Sequence, residues 1–200
     1  MYAPKKYQMD QTIAADFIRR YPFATLVGVV ENLPSINHIP LNIEDSALWG
    51  HVAYANPLWK ELAGTQVSAV FHGPHAFIDH RWYENPSMEV PTWNYAVVHV
   101  SGTLTAIHEP GELLKALDRL QSAMNEVPTW AKNLPPDLAS PGVLEKSIVG
   151  LKIDIQDIQV KFKLSQNKNS ENQKRVIEAL TASPRHEDNE VARLMRQVLT

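Results

Sequence analysis

The 200-residue sequence has no cysteine. Disulfides, cysteine-ligated zinc, iron–sulfur clusters and thiol catalysis are thereby excluded. Glycine is scarce, at eight residues, and none falls in a Rossmann fingerprint or a P-loop. A G-x-S-x-G nucleophile elbow is also absent. Charge is nearly balanced, 19 Lys and Arg against 22 Asp and Glu, giving a net charge of −3. That is not the basic footprint of a strong DNA binder, although local basic patches are compatible with it. The longest charge-free stretch, Val90 to Ile107, contains Pro91, Asn94, His99 and Ser101. It alternates as a strand does and is a poor membrane span. Lys5 and Lys6 are soon followed by Asp10 and Asp16, with no apolar segment before a cleavage-type site. No signal peptide is expected, and a cytoplasmic protein is.

What is present fits one well-filled core: 44% apolar and 20% charged residues over 200 positions. Asp10 is placed to cap a helix running to about Arg20, which Pro22 stops. Phe23 to Val30 is a buried strand. Asn32-Leu33-Pro34 signals a turn, and Ile36 to Ile43 a proline-interrupted edge strand. Leu48 to Ala53 is a third strand. Ala55-Asn56-Pro57 opens a short helix that Gly64 ends. Val67 to Phe71 returns to strand, His72-Gly73-Pro74-His75 reads as a turn, and Ala76 to Ile78 resumes. A polar loop covers Asp79 to Pro91, and a long strand Thr92 to Ile107, with a bend at Gly102. The longest helix opens at Glu109-Pro110, with Leu113, Leu114, Leu117, Leu120 and Met124 on one stripe. An irregular stretch from Pro128 to Pro141, a short helical piece over Val143 to Lys146 and a long strand Ile148 to Leu164 follow. Two polar helices, Ser170 to Thr181 and Asp188 to Leu199, close the chain. Strands without regular βαβ alternation make this a mainly β, α+β chain, a small closed barrel with peripheral helices. The domain reading is a barrel over residues 1–165 and a C-terminal helical extension over 166–200, packed on it.

Four segments carry chemistry. In Gly50 to Trp59 a strand leads directly into a capped helix, whose free N–H groups and dipole suit a phosphate. The same segment also serves as an ordinary strand–helix connection. Val90-Pro91-Thr92-Trp93-Asn94-Tyr95 gathers aromatic and amide groups that can face a flat heterocycle or fill a core. In Lys161-Phe162-Lys163-Leu164-Ser165-Gln166-Asn167-Lys168, alternation puts Lys161, Lys163 and Ser165 on one face, to neutralise an anion or to meet solvent. His72, His75, Asp79 and His80 include metal-ligand types, but the Gly-Pro between the first two argues against convergence. No metal site is expected.

Taken in order, Met1-Tyr2-x-Pro4, Pro22 to Leu26, Gly50 to Ala53, Ala55-Asn56-Pro57-x-Trp59, Gly73 to Ala76, Trp82-Tyr83, Val90 to Tyr95 and Lys161 to Asn167 resemble the PaiB-like family of FMN-binding negative transcriptional regulators. The resemblance covers nearly the whole chain. It implies an FMN-binding split β-barrel related to the pyridoxamine-phosphate-oxidase and flavin-reductase group, and a homodimer with FMN at the subunit interface. By that analogy the phosphate lies near His51, Val52, Asn56 and Trp59, and the isoalloxazine ring near Trp93 and Asn94. Lys161, Lys163, Gln166 and Asn167 complete the site, from the same or the partner subunit. Two positions depart from the pattern. Tyr54 stands where members usually carry Arg, removing a bidentate phosphate donor. Asp79-His80-Arg81 replaces a Ser-Pro-Ser run, with Arg81 a candidate substitute. Alternatives to a flavin-binding regulator are a flavin-dependent oxidoreductase on an unidentified small molecule and a heme-binding split barrel using His72, His75 or His80. The terminal helices, with Lys174, Arg175, Arg193 and Arg196, superficially resemble a helix-turn-helix. Glu171, Glu178, Glu187, Asp188 and Glu190 dilute that charge, so DNA binding is only weakly supported.

Overall fold

The computed structural model describes residues 1–124, 143 and 146–199. The irregular stretch expected over Pro128 to Pro141, and most of the helical piece after it, lie outside them. Seven strands form one antiparallel sheet in the order β2-β1-β5-β6-β7-β4-β3. They are β1 (Phe23–Val30), β2 (Leu33–Pro40), β3 (Asn42–Glu44), β4 (Ala47–Ala53), β5 (Gln66–Ile78), β6 (Thr92–Ile107) and β7 (Ile148–Lys163). The α-helices of the described residues are α1 (Ala14–Arg20), α2 (Leu58–Leu62), α3 (Pro110–Met124), α4 (Ser170–Thr181) and α5 (His186–Leu199). The chain divides into two compact units, unit 1 comprising residues 1–11, 72–97 and 159–200, and unit 2 residues 12–71 and 98–158.

Unit 2 is built on antiparallel pairs with period-2 burial. On β1, Ala24 and Leu26 point inward and Phe23, Thr25, Val27 and Val29 outward. The β1–β2 hairpin turns at Glu31 and Asn32, with φ of 51° and 64°, one residue earlier than expected. The expected Pro-interrupted strand over residues 36–43 is two strands, because Leu41 leaves the ladder and donates its N–H to the Pro22 carbonyl over 2.9 Å. β2 and β3 lie at the two sheet edges. Leu26, Leu48, Leu58, Leu62, Leu104 and Leu151 are fully buried. At Gly102 the next strand passes so close that a Cβ would sit 2.2 Å from the Asp154 carbonyl oxygen. The first helix is shorter than expected: Gln11–Ile13 forms a 3-10 turn, and α1 starts only at Ala14.

Unit 1 holds α4, α5, the loop after β5 and the portions of β5, β6 and β7 within its ranges. Asn169 caps α4, its side chain accepting from the Asn172 N–H at 2.8 Å. Asn172 in turn accepts from the Glu84 N–H at 2.8 Å, tying α4 to the loop. Val176, Leu180, Val191 and Met195 are fully buried among the helices. His72-Gly73-Pro74-His75 is not a turn but part of β5. The inward positions of that strand are odd-numbered up to Phe71 and even-numbered from Pro74 on, so the Gly-Pro pair shifts the alternation by one residue without breaking the strand. Bulged strands behave in this way.

Candidate functional site

The ten site residues named from the sequence fall into two groups. His51, Val52, Asn56 and Trp59 belong to unit 2; Trp93, Asn94, Lys161, Lys163, Gln166 and Asn167 belong to unit 1.

In unit 2, β4 pairs with β7 in the register His51↔Gly150 and Val52↔Val149. Val52 is a core residue. His51 is half-buried, its Nδ1 has no hydrogen-bond partner among the described residues, and burial holds the imidazole pKa below its ordinary value. Asn56 Oδ1 accepts the Leu58 N–H at 3.0 Å, and its Nδ2 donates to Asn37 Oδ1 at 3.4 Å. Helix α2 has only five residues. The Lys60 and Glu61 N–H groups bond to the Pro57 carbonyl at 2.9 and 3.1 Å. Donors expected for a phosphate are thus largely used within the turn. Its surface is aromatic instead. Trp59 donates Nε1–H to the Tyr54 carbonyl at 3.0 Å and packs against the Tyr54 ring at 5.4 Å and the His108 ring at 4.8 Å. Lys60 Nζ sits 4.9 Å from the centre of the Trp59 ring.

In unit 1, Trp93 is 48% exposed, with the rings of His75 and Phe77 at 5.7 and 6.0 Å. Lys163 reaches across to the start of β6 and donates from Nζ to Thr92 Oγ1 and to the Trp93 carbonyl, both at 2.5 Å. Among the described residues it has no carboxylate partner. Partial burial, then the positive charges of Lys161 and Lys168, lower its pKa. Lys161 donates to the Tyr2 carbonyl at 3.0 Å and lies 5.2 Å from the Tyr95 ring centre. Lys168 is ion-paired with Glu89 and lies 4.7 Å from the ring centre of Tyr83, a phenol whose pKa burial pushes up.

Asn94 and Gln166 have inward roles. Asn94 is 1% exposed; its Nδ2 donates to Ser165 Oγ at 2.9 Å and approaches Met195 Sδ at 3.5 Å. Gln166 folds back on its own segment, accepting from the Leu164 N–H at 2.7 Å and donating to the Phe162 carbonyl at 2.6 Å. Asn167 is exposed and accepts from the Tyr7 hydroxyl at 3.2 Å. Ser165, expected on the lysine face, is instead buried just past β7 with φ of 67°. No local signal marks a serine for the left-handed region, so its pairing with Asn94 was invisible in the sequence. Arg81, the candidate substitute donor, is held by Asp79, whose pKa it lowers to about 2. Among the described residues, no three His, Asp or Glu side chains form a metal-binding group.

The unit 1 cluster suits an anionic, flat ligand: Lys163, which feels the positive charges of Lys161 and Lys168, bonds to the backbone of an exposed indole residue. A family model described as "Putative FMN-binding domain" matches residues 1–157. The chain belongs to that family. The Bacillus subtilis protein "Protease synthase and sporulation protein PAI 2" is 34% identical, across all of this chain and 98% of its own length. In structure, the flavocytochrome Anf3 of Azotobacter vinelandii superposes with a TM-score of 0.63 at 16% identity, covering 77% of this chain and 67% of its own. A Bacteroides thetaiotaomicron structure described as a "putative 5-nitroimidazole antibiotic resistance protein" gives 0.61 at 13% identity, covering 78% of this chain and 86% of its own. The fold is the split barrel of flavin-binding proteins, and FMN is the cofactor of this FMN-binding family. No described helix is long and apolar enough to cross a membrane.

Proposed function

We propose that this FMN-binding chain works as a PaiB-like regulator, a homodimer with FMN at the subunit interface. The observation that carries the assignment of the site is the lysine cluster beside Trp93. Lys163, Lys161 and Lys168 bring positive charge to a partly desolvated surface, and among the described residues Glu89, on Lys168, is the carboxylate paired with them. The FMN phosphate is the natural counter-charge, and Trp93 supplies a face for the isoalloxazine ring. Asn94, through Ser165, and Gln166, through its own strand end, hold this surface in shape. In unit 2, His51 offers an unpaired ring nitrogen, while Tyr54 and Trp59 offer rings rather than the guanidinium usual in the family. FMN supplies redox capacity when bound. The side chains around it bind, orient and neutralise.

A flavin-dependent oxidoreductase is the second reading, since the cofactor itself carries that chemistry and few catalytic side chains are needed. DNA contact by α4 and α5 has less support. Arg175 is paired with Glu171 and Arg193 with Glu190, at 3.2 Å each, and Arg196 donates to Thr181 at 2.5 Å. Among the described residues, Lys174 alone of the four expected cations has no such partner.

The test is a spectrum of the protein as isolated, followed by FMN titration of the apo form. A flavin band or a titratable site supports the proposal; neither one, or a Soret band from heme, removes it. Anaerobic reduction of the bound flavin by a nicotinamide donor separates the oxidoreductase from a non-catalytic binder.

A further inference from the structure

Lys163 differs from its two neighbours in what holds it. Lys168 has a carboxylate, Glu89. Lys161 bonds to the Tyr2 carbonyl and lies over the Tyr95 ring. Lys163, the last residue of β7, is seated between the first two residues of β6. Its Nζ has two neutral acceptors there, Thr92 Oγ1 and the Trp93 carbonyl, each at 2.5 Å. An ammonium group has three N–H bonds to satisfy; a free amine has two and a lone pair. The seat matches the free amine. Both N–H bonds are taken, and the third position on nitrogen is left for the lone pair. Among the described residues an ammonium in the same place would have its third N–H unmatched. The surroundings favour the same form. Partial burial, then the like charges of Lys161 and Lys168, hold the pKa of Lys163 below the ordinary lysine value.

A partly desolvated lysine beside other cations is a nucleophile towards carbonyl carbon. We propose that Lys163 is a reactive amine that forms a reversible imine with a small aldehyde carrying an anionic group. The site selects that class. Attack needs an unhindered carbonyl carbon, which an aldehyde offers. The anionic group answers the charges of Lys161 and Lys168, of which Glu89 offsets one. In the step, the Nζ lone pair forms the C–N bond. The carbonyl oxygen leaves as water with the two amine protons, and a C=N bond remains. No oxidant or reductant enters. Exposed Trp93, whose carbonyl holds Nζ, leaves the seat open to a small molecule from solvent. The inference stands on the contacts of Lys163 and does not depend on the flavin reading, which the FMN titration tests by itself.

The test is labelling of the flavin-free, full-length chain at neutral pH with glyoxylate and cyanoborohydride. The hydride reduces the imine to a stable secondary amine, and the carboxymethyl group left behind is located by peptide mass mapping. Lys174, exposed on α4, is the internal reference. Lys163 should be labelled at least about tenfold faster than Lys174, the gain in free amine for each unit by which a pKa falls. The ratio of the two rates should shrink when acetaldehyde, which has no anionic group, replaces glyoxylate. Lys161→Gln removes a neighbouring cation and should slow Lys163 several-fold towards both aldehydes while leaving Lys174 as it was. Circular dichroism melts verify folding. Equal rates at the two lysines, or no label on Lys163 in a folded chain, would overturn the reactive amine. A fast Lys163 with the same ratio for both aldehydes would overturn the anionic class, and a rate unmoved in folded Lys161→Gln would overturn activation by the neighbouring charge. Failed labelling beside a normal FMN titration rejects this proposal alone.

Discussion

Asn94 and Ser165 meet through their side chains across 71 residues of sequence, with Nδ2 2.9 Å from Oγ in a buried setting. The contact joins the start of β6, next to exposed Trp93, to the turn two residues past the end of β7. Ser165 adopts φ of 67° while also accepting at its carbonyl from Lys168 N–H at 3.0 Å and Gln173 Nε2 at 3.2 Å.

Ser165→Ala should therefore lower stability by about 1–3 kcal/mol, since it leaves a buried amide with only the weak Met195 thioether contact. Ser165→Gly loses the same bond but relieves the left-handed backbone by about 1 kcal/mol, and should be the milder of the two. Urea unfolding of both variants measures the difference. Equal losses would show that backbone strain contributes little.

Lys163→Met should weaken FMN binding by roughly 10- to 100-fold, the range for loss of one charge-assisted contact. A pH dependence accompanies it. The folded pKa of Lys163 is lowered, so near neutral pH its charge costs stability, and that cost is relieved as pH rises through the depressed value towards the unfolded one. A bound phosphate raises the pKa again, so binding takes up a proton wherever free Lys163 has begun to deprotonate. Affinity should fall as pH rises through that range in the wild type and stay flatter in the variant. Fluorescence titration across alkaline pH follows it.

His51 is a base whose folded pKa is depressed by burial. Its contribution is complete above the ordinary histidine value of 6.5 and is lost as pH falls from there towards the folded value, because the unfolded chain takes up the proton first. Replacing His51 by Gln should flatten the stability profile on the acid side of neutrality. Thermal melts between pH 7 and 5 follow the change.

Gly102→Ala should destabilise the protein by about 3 kcal/mol or more, because the added Cβ meets backbone, the Asp154 carbonyl oxygen at 2.2 Å, rather than a side chain that can turn away. Gly64, with φ of 77° and open space at its Cβ position, should cost nearer 1 kcal/mol when replaced by Ala. Chemical denaturation ranks the two.

Strands with an unbroken period were legible from the chain alone: β1 and β6 run where alternation and β-branching put them, and α4 spans the expected Ser170 to Thr181. Pairing across the sheet was not. His72-Gly73-Pro74-His75 carries every local mark of a turn, yet β5 continues through it because its neighbours hold both halves in the ladder. The site was legible in part. Trp93 and Lys163 do come together, since both lie on outward positions of long strands. Alternation could not show that Asn94 points inward to Met195, nor that the donors near α2 are satisfied by Asn56 and Pro57, because those depend on contacts made after the chain folds.

The family match stops at residue 157, in the middle of β7, which continues to Lys163. Anyone trimming a gene to that boundary would sever a strand, discard all three lysines of the cluster and remove Ser165 from beneath Asn94. A shortened product that bound no flavin would reveal where the scissors fell and nothing about the cofactor.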